Sequence, residues 1–152
     1  MSLAGFPYLP GGKVCSAPVL QSMNGHITVN GPISFVNMEL PFLWIEFDDG
    51  KVTTIRTHES LNGGLNDLLN IDDGAAFIGE MGVGVNGKIQ MRIGDAQWDE
   101  NALGTMHFVL GGAQGSLGNG NRSLIRGVIV TELADKKLFV NDREVAPGWF
   151  TK

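Results

Sequence analysis

Cysteine is nearly absent from this chain: Cys15 is the only one among 152 residues. No disulfide can form within the chain, so the expected compartment is the reducing cytoplasm. Long apolar runs are missing too. No stretch approaches 18 apolar residues, and the N-terminus lacks the charged-then-apolar pattern of a signal peptide. Membrane-spanning and secreted readings therefore fall away. Cations are sparse, with 11 Lys plus Arg against 16 Asp plus Glu and a net charge of −5. There is no basic run and no interleaving of aromatics with cations, so neither nucleic acid nor a membrane is an expected partner. Aromatics make up 8% of the chain. Trp44, Trp98 and Trp149 show no cage-like spacing and read as core or interface anchors.

What is abundant is glycine, at 22 residues, about twice the usual share. No collagen period or low-complexity block accounts for it. Glycines at turns and beside strands suit a β-rich chain with many tight corners. The hydrophobic fraction of 43% is ordinary for a globular protein. The length suits one domain, spanning residues 1–152.

Residues 5–12 are punctuated by Pro and Gly and read as an extended lead-in. Ile27 and Val29 alternate with Thr28 and Asn30, Asn30-Gly31-Pro32 breaks the run, and residues 33–36 resume it. Residues 43–47 and 52–57 are β-branched and aromatic, and Asp48-Asp49-Gly50 between them is a hairpin signal. Over residues 58–70 the period changes: Leu61, Leu65, Leu68 and Leu69 share one helix face, although Gly63-Gly64 weakens it. Residues 76–85, 105–110 and 124–133 read as strands, residues 96–103 as a short helix, and residues 137–145 as a hairpin around Asn141-Asp142. The expected fold is a single β-rich α+β domain, with a mixed or antiparallel sheet, about eight strands and one or two helices.

The Gly-rich segment 111–123 has neither the Gly-Lys-Ser/Thr of a Walker loop nor the strand-to-helix setting of a dinucleotide fold. It reads as a strand connector long enough to cover a site. Cys15 follows Lys13, which favours thiolate. Catalysis would also need a positioned base. His26 and His58 carry no signature, and an inert small residue is the reading. A lone His107 among apolar neighbours is ordinarily a core histidine. Glu80 is harder to dismiss: a carboxylate between Ile78, Met81 and Val83 is costly to bury unless it is paired.

Together these stretches resemble a family. They are Gly11-Gly12-Lys13-Val14-Cys15-Ser16-Ala17-Pro18, then Ser22-Met23-Asn24-Gly25 and Ile45-Glu46-Phe47-Asp48-Asp49-Gly50-Lys51-Val52. Ile78-Gly79-Glu80-Met81-Gly82-Val83-Gly84-Val85-Asn86, Leu103-Gly104-Thr105-Met106-His107-Phe108-Val109-Leu110-Gly111 and Gly127-Val128-Ile129 follow. In this order they are similar to the C-terminal domain of the thermophilic-type leucyl aminopeptidases, to which 2,5-dihydroxypyridine dioxygenases are related. The family's additional N-terminal α/β domain is not expected within residues 1–152.

The resemblance implies a two-metal site of two Glu, two His and an Asp, in which paired metals activate water and polarise a peptide carbonyl. On this chain it maps the second Glu onto Glu80 and the first His onto His107. Lys13 stands where the first Glu belongs, and Leu124-Ile125-Arg126 where His-x-Asp belongs. Two ligands of the five remain. If the family geometry holds, Lys13, Glu80, His107 and Arg126 converge into a charged pocket in which the cations neutralise Glu80 in place of a metal. No resident cofactor is then expected. If a metal does bind, Zn, Co, Mn or Fe would be held by Glu80 and His107.

The expected function is therefore that of a metalloaminopeptidase-like domain with an incomplete metal site, acting as a non-catalytic binding or assembly module or a fragment. The alternative is an active metal-dependent aminopeptidase or dioxygenase-like enzyme with a reduced ligand set. No residue is assigned a catalytic role. A small anion or a peptide is the expected ligand of the pocket, and self-association into a homo-oligomer is expected from apolar surface left by a missing neighbour domain.

Overall fold

The computed structural model describes residues 11–113, 119–133, 138–140 and 143–145, the last two stretches as backbone only. Nine strands and two helices lie among these residues. The strands are β1 (Lys13–Ser16), β2 (Gly25–Phe35), β3 (Met38–Asp48), β4 (Lys51–Arg56), β5 (Ile78–Gly84), β6 (Thr105–Gly111), β7 (Arg126–Glu132), β8 (Leu138–Val140) and β9 (Arg143–Val145). The helices are α1 (Glu59–Leu69) and α2 (Ala96–Asp99).

The strands form a four-stranded sheet in the order β1-β5-β6-β7, a three-stranded sheet β2-β3-β4 and the pair β8-β9. All paired strands run antiparallel. The α+β, β-rich expectation holds, with two larger sheets in place of one. Trp149 and the Asn141-Asp142 turn lie outside the described residues.

The three-stranded sheet is a meander closed by two tight turns. Val36 and Asn37 have φ of 46° and 63°, and Asp49 and Gly50 have 45° and 80°. Positive φ at both central residues is what a type I′ hairpin requires. Gly50 has a second reason to be glycine, because a Cβ there would strike the Leu20 carbonyl. The break expected at Asn30-Gly31-Pro32 is instead a bulge within one strand, where the register shifts between Asn30 and Ile33. A bulge lets Pro32 sit in the strand without owing a ladder hydrogen bond.

The two sheets share one core. Phe35, Leu40, Leu43 and Ile45 from the meander meet Ile78, Met106, Phe108, Leu110 and Ile129 from the larger sheet. α1 adds Leu65, fully buried, with Leu61, Leu68 and Leu69 packed around it. That is the apolar stripe of an amphipathic helix.

The opposite face of the larger sheet carries the chemistry. Between β5 and β6 the chain makes an excursion that contains α2. Asp95 caps α2 by accepting from the Trp98 amide. Asp99, 1% exposed, accepts from the Ile93 and Gly94 amides at 2.9 and 3.0 Å. Asn86 ties the excursion back, donating its amide to the Asn101 carbonyl and accepting from the Leu103 amide. Glu100, which ends α2, is thereby held near the start of β1.

Candidate functional site

Every strand of the larger sheet contributes charged or titratable residues to one face: Lys13 and Cys15 from β1, Glu80 from β5, His107 from β6 and Arg126 from β7. The register explains the shared face. Gly82 pairs with both Cys15 and His107, Glu80 pairs with Val109, and Gly111 pairs with Arg126. Side chains directly opposite across a ladder point the same way.

Glu80 reaches this face through a bulge. Ile78 pairs with Leu110 and Glu80 with the adjacent Val109, so Gly79 is an extra residue on β5. A Cβ at Gly79 would strike the Gly111 carbonyl. Gly82 is constrained for another reason: a Cβ there would meet the Val14 carbonyl and the His107 ring. Gly82 is thus the floor on which the imidazole lies.

Glu80 and His107 are both 0% exposed. Lys13 Nζ lies 3.3 Å from Glu80 Oε1 and donates to it, and Arg126 NH2 donates to Oε2 at 3.3 Å. His107 Nε2 stands 3.4 Å from Oε1. A buried carboxylate is tolerable only with such pairing, because desolvating an unpaired charge costs several kcal/mol. Lys13 also donates to Glu100 Oε1 at 2.8 Å, so its ammonium bridges two buried carboxylates. Burial alone would lower the Lys13 ammonium. The Glu100 hydrogen bond and the charges of Glu100 and Glu80 outweigh it and hold the group above its usual value.

Cys15 belongs to the same cluster, with Sγ 3.7 Å from His107 Nε2. Burial is the main reason its thiol is pushed up to about 12. The Glu80 charge and hydrogen bond add to this, and Lys13 opposes it. The arrangement is not a nucleophilic triad. In a triad the acid and the nucleophile engage different imidazole nitrogens, whereas here Glu80 and Cys15 both face Nε2. Among the described residues, His107 Nδ1, Glu100 Oε2 and Arg126 Nε are buried without a hydrogen-bond partner.

Cys15 and Glu100 were not legible as site residues. Cys15 reads as an inert small residue for want of a legible base, and nothing in the sequence singles out Glu100. Only the β1–β5 pairing and the Asn86 tie bring them in. Leu124, at the expected histidine position, is 90% exposed.

Measured against the two-metal site that the resemblance implies, the donor set falls short. The Cys15, Glu80 and His107 donors lie within 4.8 Å of one another. That is one cluster, short of the five ligands a metal pair requires. Both Glu80 oxygens already face fixed cations at 3.3 Å. Two unit charges 4 Å apart interact by about 4 kcal/mol at an effective dielectric of 20, and a divalent ion doubles that repulsion from each cation.

The family model described as thermophilic metalloprotease (M29) matches residues 2–125. The stretch includes Lys13, Cys15, Glu80, Glu100 and His107, and stops one residue before Arg126. Among solved structures, wild-type AmpT from Thermus thermophilus matches with a TM-score of 0.63 and 25% identity, over 79% of this chain and 33% of that one. The structure of 2,5-dihydroxypyridine dioxygenase from Pseudomonas putida KT2440 matches with a TM-score of 0.59 and 15% identity, over 76% of this chain and 37% of that one. The second likeness is one of fold alone. This chain spans about a third of the length of each solved relative. No curated protein sequence matches it. With more than half its length covered by the family model, the chain belongs to the thermophilic metalloprotease (M29) family.

Proposed function

We propose that this domain is a non-catalytic, metal-independent member of its family, serving as a binding or assembly module. One observation carries the reading: both oxygens of the buried Glu80 carboxylate are held by cations of the chain itself, Lys13 and Arg126. A carboxylate so held is a poor metal ligand, and a thiol pushed up to about 12 is a poor nucleophile.

Lys13, Glu80, His107 and Arg126 form the functional pocket in this reading. The Lys13 and Arg126 side chains are 21% and 29% exposed, so both retain surface for a small anion or a peptide carboxylate. Met91, Ile93 and Leu124 are 73%, 58% and 90% exposed, which supports self-association. No described helix is long and apolar enough to cross a membrane. Residence in the cytoplasm is part of the proposal.

The test is an assay of purified protein on leucyl dipeptides, with and without added Zn, Co or Mn. The reading expects no metal-dependent turnover. Turnover that requires metal and disappears in His107→Ala would contradict it. That outcome would favour the second reading, an enzyme with a reduced ligand set, for which the grouping of Cys15, Glu80 and His107 within 4.8 Å is the supporting observation.

A further inference from the structure

We infer that the Lys13 ammonium is a tethered substitute for a metal ion, and that withdrawing it turns this centre into a single-metal site of Cys15, Glu80 and His107. The inference rests on the metal-independent reading above and deepens it.

The ammonium sits where a cation is called for. Its nitrogen is 3.3 Å from Glu80 Oε1 and 2.8 Å from Glu100 Oε1, and those side chains are 0% and 8% exposed. Beside it three donor atoms, from Cys15, Glu80 and His107, already lie within 4.8 Å of one another. Sγ of Cys15 is 3.7 Å from His107 Nε2, and Nε2 is 3.4 Å from Glu80 Oε1. Ligand atoms around a tetrahedral zinc, with bonds of about 2.0–2.3 Å, are separated by roughly 3.3–3.8 Å. Thiol, imidazole and carboxylate together select zinc or cobalt over magnesium or calcium.

Arg126 matters to the argument because it holds the other Glu80 oxygen, at 3.3 Å. Glu80 therefore stays aimed when Lys13 is removed. The exchange balances chemically. The ammonium leaves with its positive charge, the Cys15 S–H bond breaks and its proton passes to solvent, and a sulfur–metal bond forms.

Lys13→Met removes the charge and keeps the stem, while Lys13→Arg keeps a cation. The probes are Co2+ and Zn2+ as simple salts. Lys13→Met is expected to take up one Co2+ per chain with a thiolate-to-cobalt charge-transfer band in the near ultraviolet, and the double variant Lys13→Met/Cys15→Ser is expected to lack that band. Saturating Zn2+ should raise the melting temperature of Lys13→Met by about 5 °C, while the wild type and Lys13→Arg do not move. If the wild type binds metal as tightly as Lys13→Met, this inference and the metal-independent reading both fall. If Lys13→Met is folded and takes no metal, the inference falls alone. If the band survives in the double variant, Cys15 is no ligand and the inference is overturned. Should Lys13→Met not fold by itself, urea-unfolded protein is refolded with and without Zn2+. Recovery only with Zn2+ supports the inference, and failure in both overturns it.

Discussion

Ile78 and Glu80 are two residues apart on β5 and face opposite sides of the sheet. An unbroken strand would put them on the same side. The extra residue, Gly79, reverses the alternation: Ile78 enters the shared core opposite Leu110, and Glu80 joins the charged face opposite Val109. One bulge therefore lets a single strand serve both the core and the cluster.

This relationship predicts a sharp contrast between two glycine substitutions. Gly79→Ala places a methyl against the Gly111 carbonyl and the Ala113 amide, which cannot give way cheaply. It should cost about 2 kcal/mol, as overpacked sites do. Gly63→Ala, in α1 with nothing near its Cβ, should stabilise by about 0.5–1 kcal/mol. Urea unfolding of the two variants measures both.

Removing Glu80 takes from Arg126 the carboxylate it donates to and leaves Lys13 with Glu100 alone. Glu80→Ala should destabilise the fold by about 3–5 kcal/mol, the usual cost of breaking a buried ion pair from one side. The same unfolding assay tests it. A loss below about 1 kcal/mol, the value of a surface pair, would show that the cluster does not hold the sheet together.

Much of the fold was readable from local pattern, because hairpins and amphipathic stripes are local signals. Asp49-Gly50 marks the β3–β4 turn, and Leu61, Leu65 and Leu68 mark α1. What failed was non-local. β1 is a four-residue edge strand that exists only by pairing with β5. β2 runs through Gly31-Pro32 because a bulge absorbs them. For the site, Glu80 announced itself as a carboxylate among apolar neighbours. The family resemblance named Lys13, His107 and Arg126. Cys15 and Glu100 carry no local mark, since register and an α2 tie bring them in.

The Cys15 thiol should be slow to react. Burial pushes it up to about 12 from the ordinary thiol value of 9.0. At pH 8 the native thiolate fraction is lower by about three orders of magnitude, since each unit is a factor of ten. Iodoacetamide should therefore label the native protein at least about a hundredfold more slowly than the urea-unfolded chain. A raised folded value also sets a sign. The contribution to stability is complete below the ordinary thiol value and is lost as pH rises through about 9 towards about 12. The wild type should lose stability relative to Cys15→Ser in that window, followed by melting temperature.

Asp72 should act at the other end of the pH scale. It accepts from the Leu124 amide at 2.8 Å, the Ser123 hydroxyl at 3.0 Å and the Gly74 amide at 3.0 Å, anchoring the chain just before Arg126. The Leu124 hydrogen bond is the main reason its carboxyl is held below its ordinary value of 3.8. A lowered folded value means stability that is present above the ordinary value and lost as pH falls through the lowered one. The melting-temperature gap between wild type and Asp72→Asn should be constant above about pH 5 and close as the pH drops below about 3.5. A gap independent of pH would contradict this.

The central claim is that the chain's own cations stand where its family's metals would. The most direct measurement is elemental analysis for zinc, cobalt, manganese and iron, made on wild-type protein soaked in excess metal, desalted and quantified by chain. The account predicts no stoichiometric metal, and no change in melting temperature on adding a chelator. One or more metal ions per chain, with a melting temperature that falls on chelation, would contradict it.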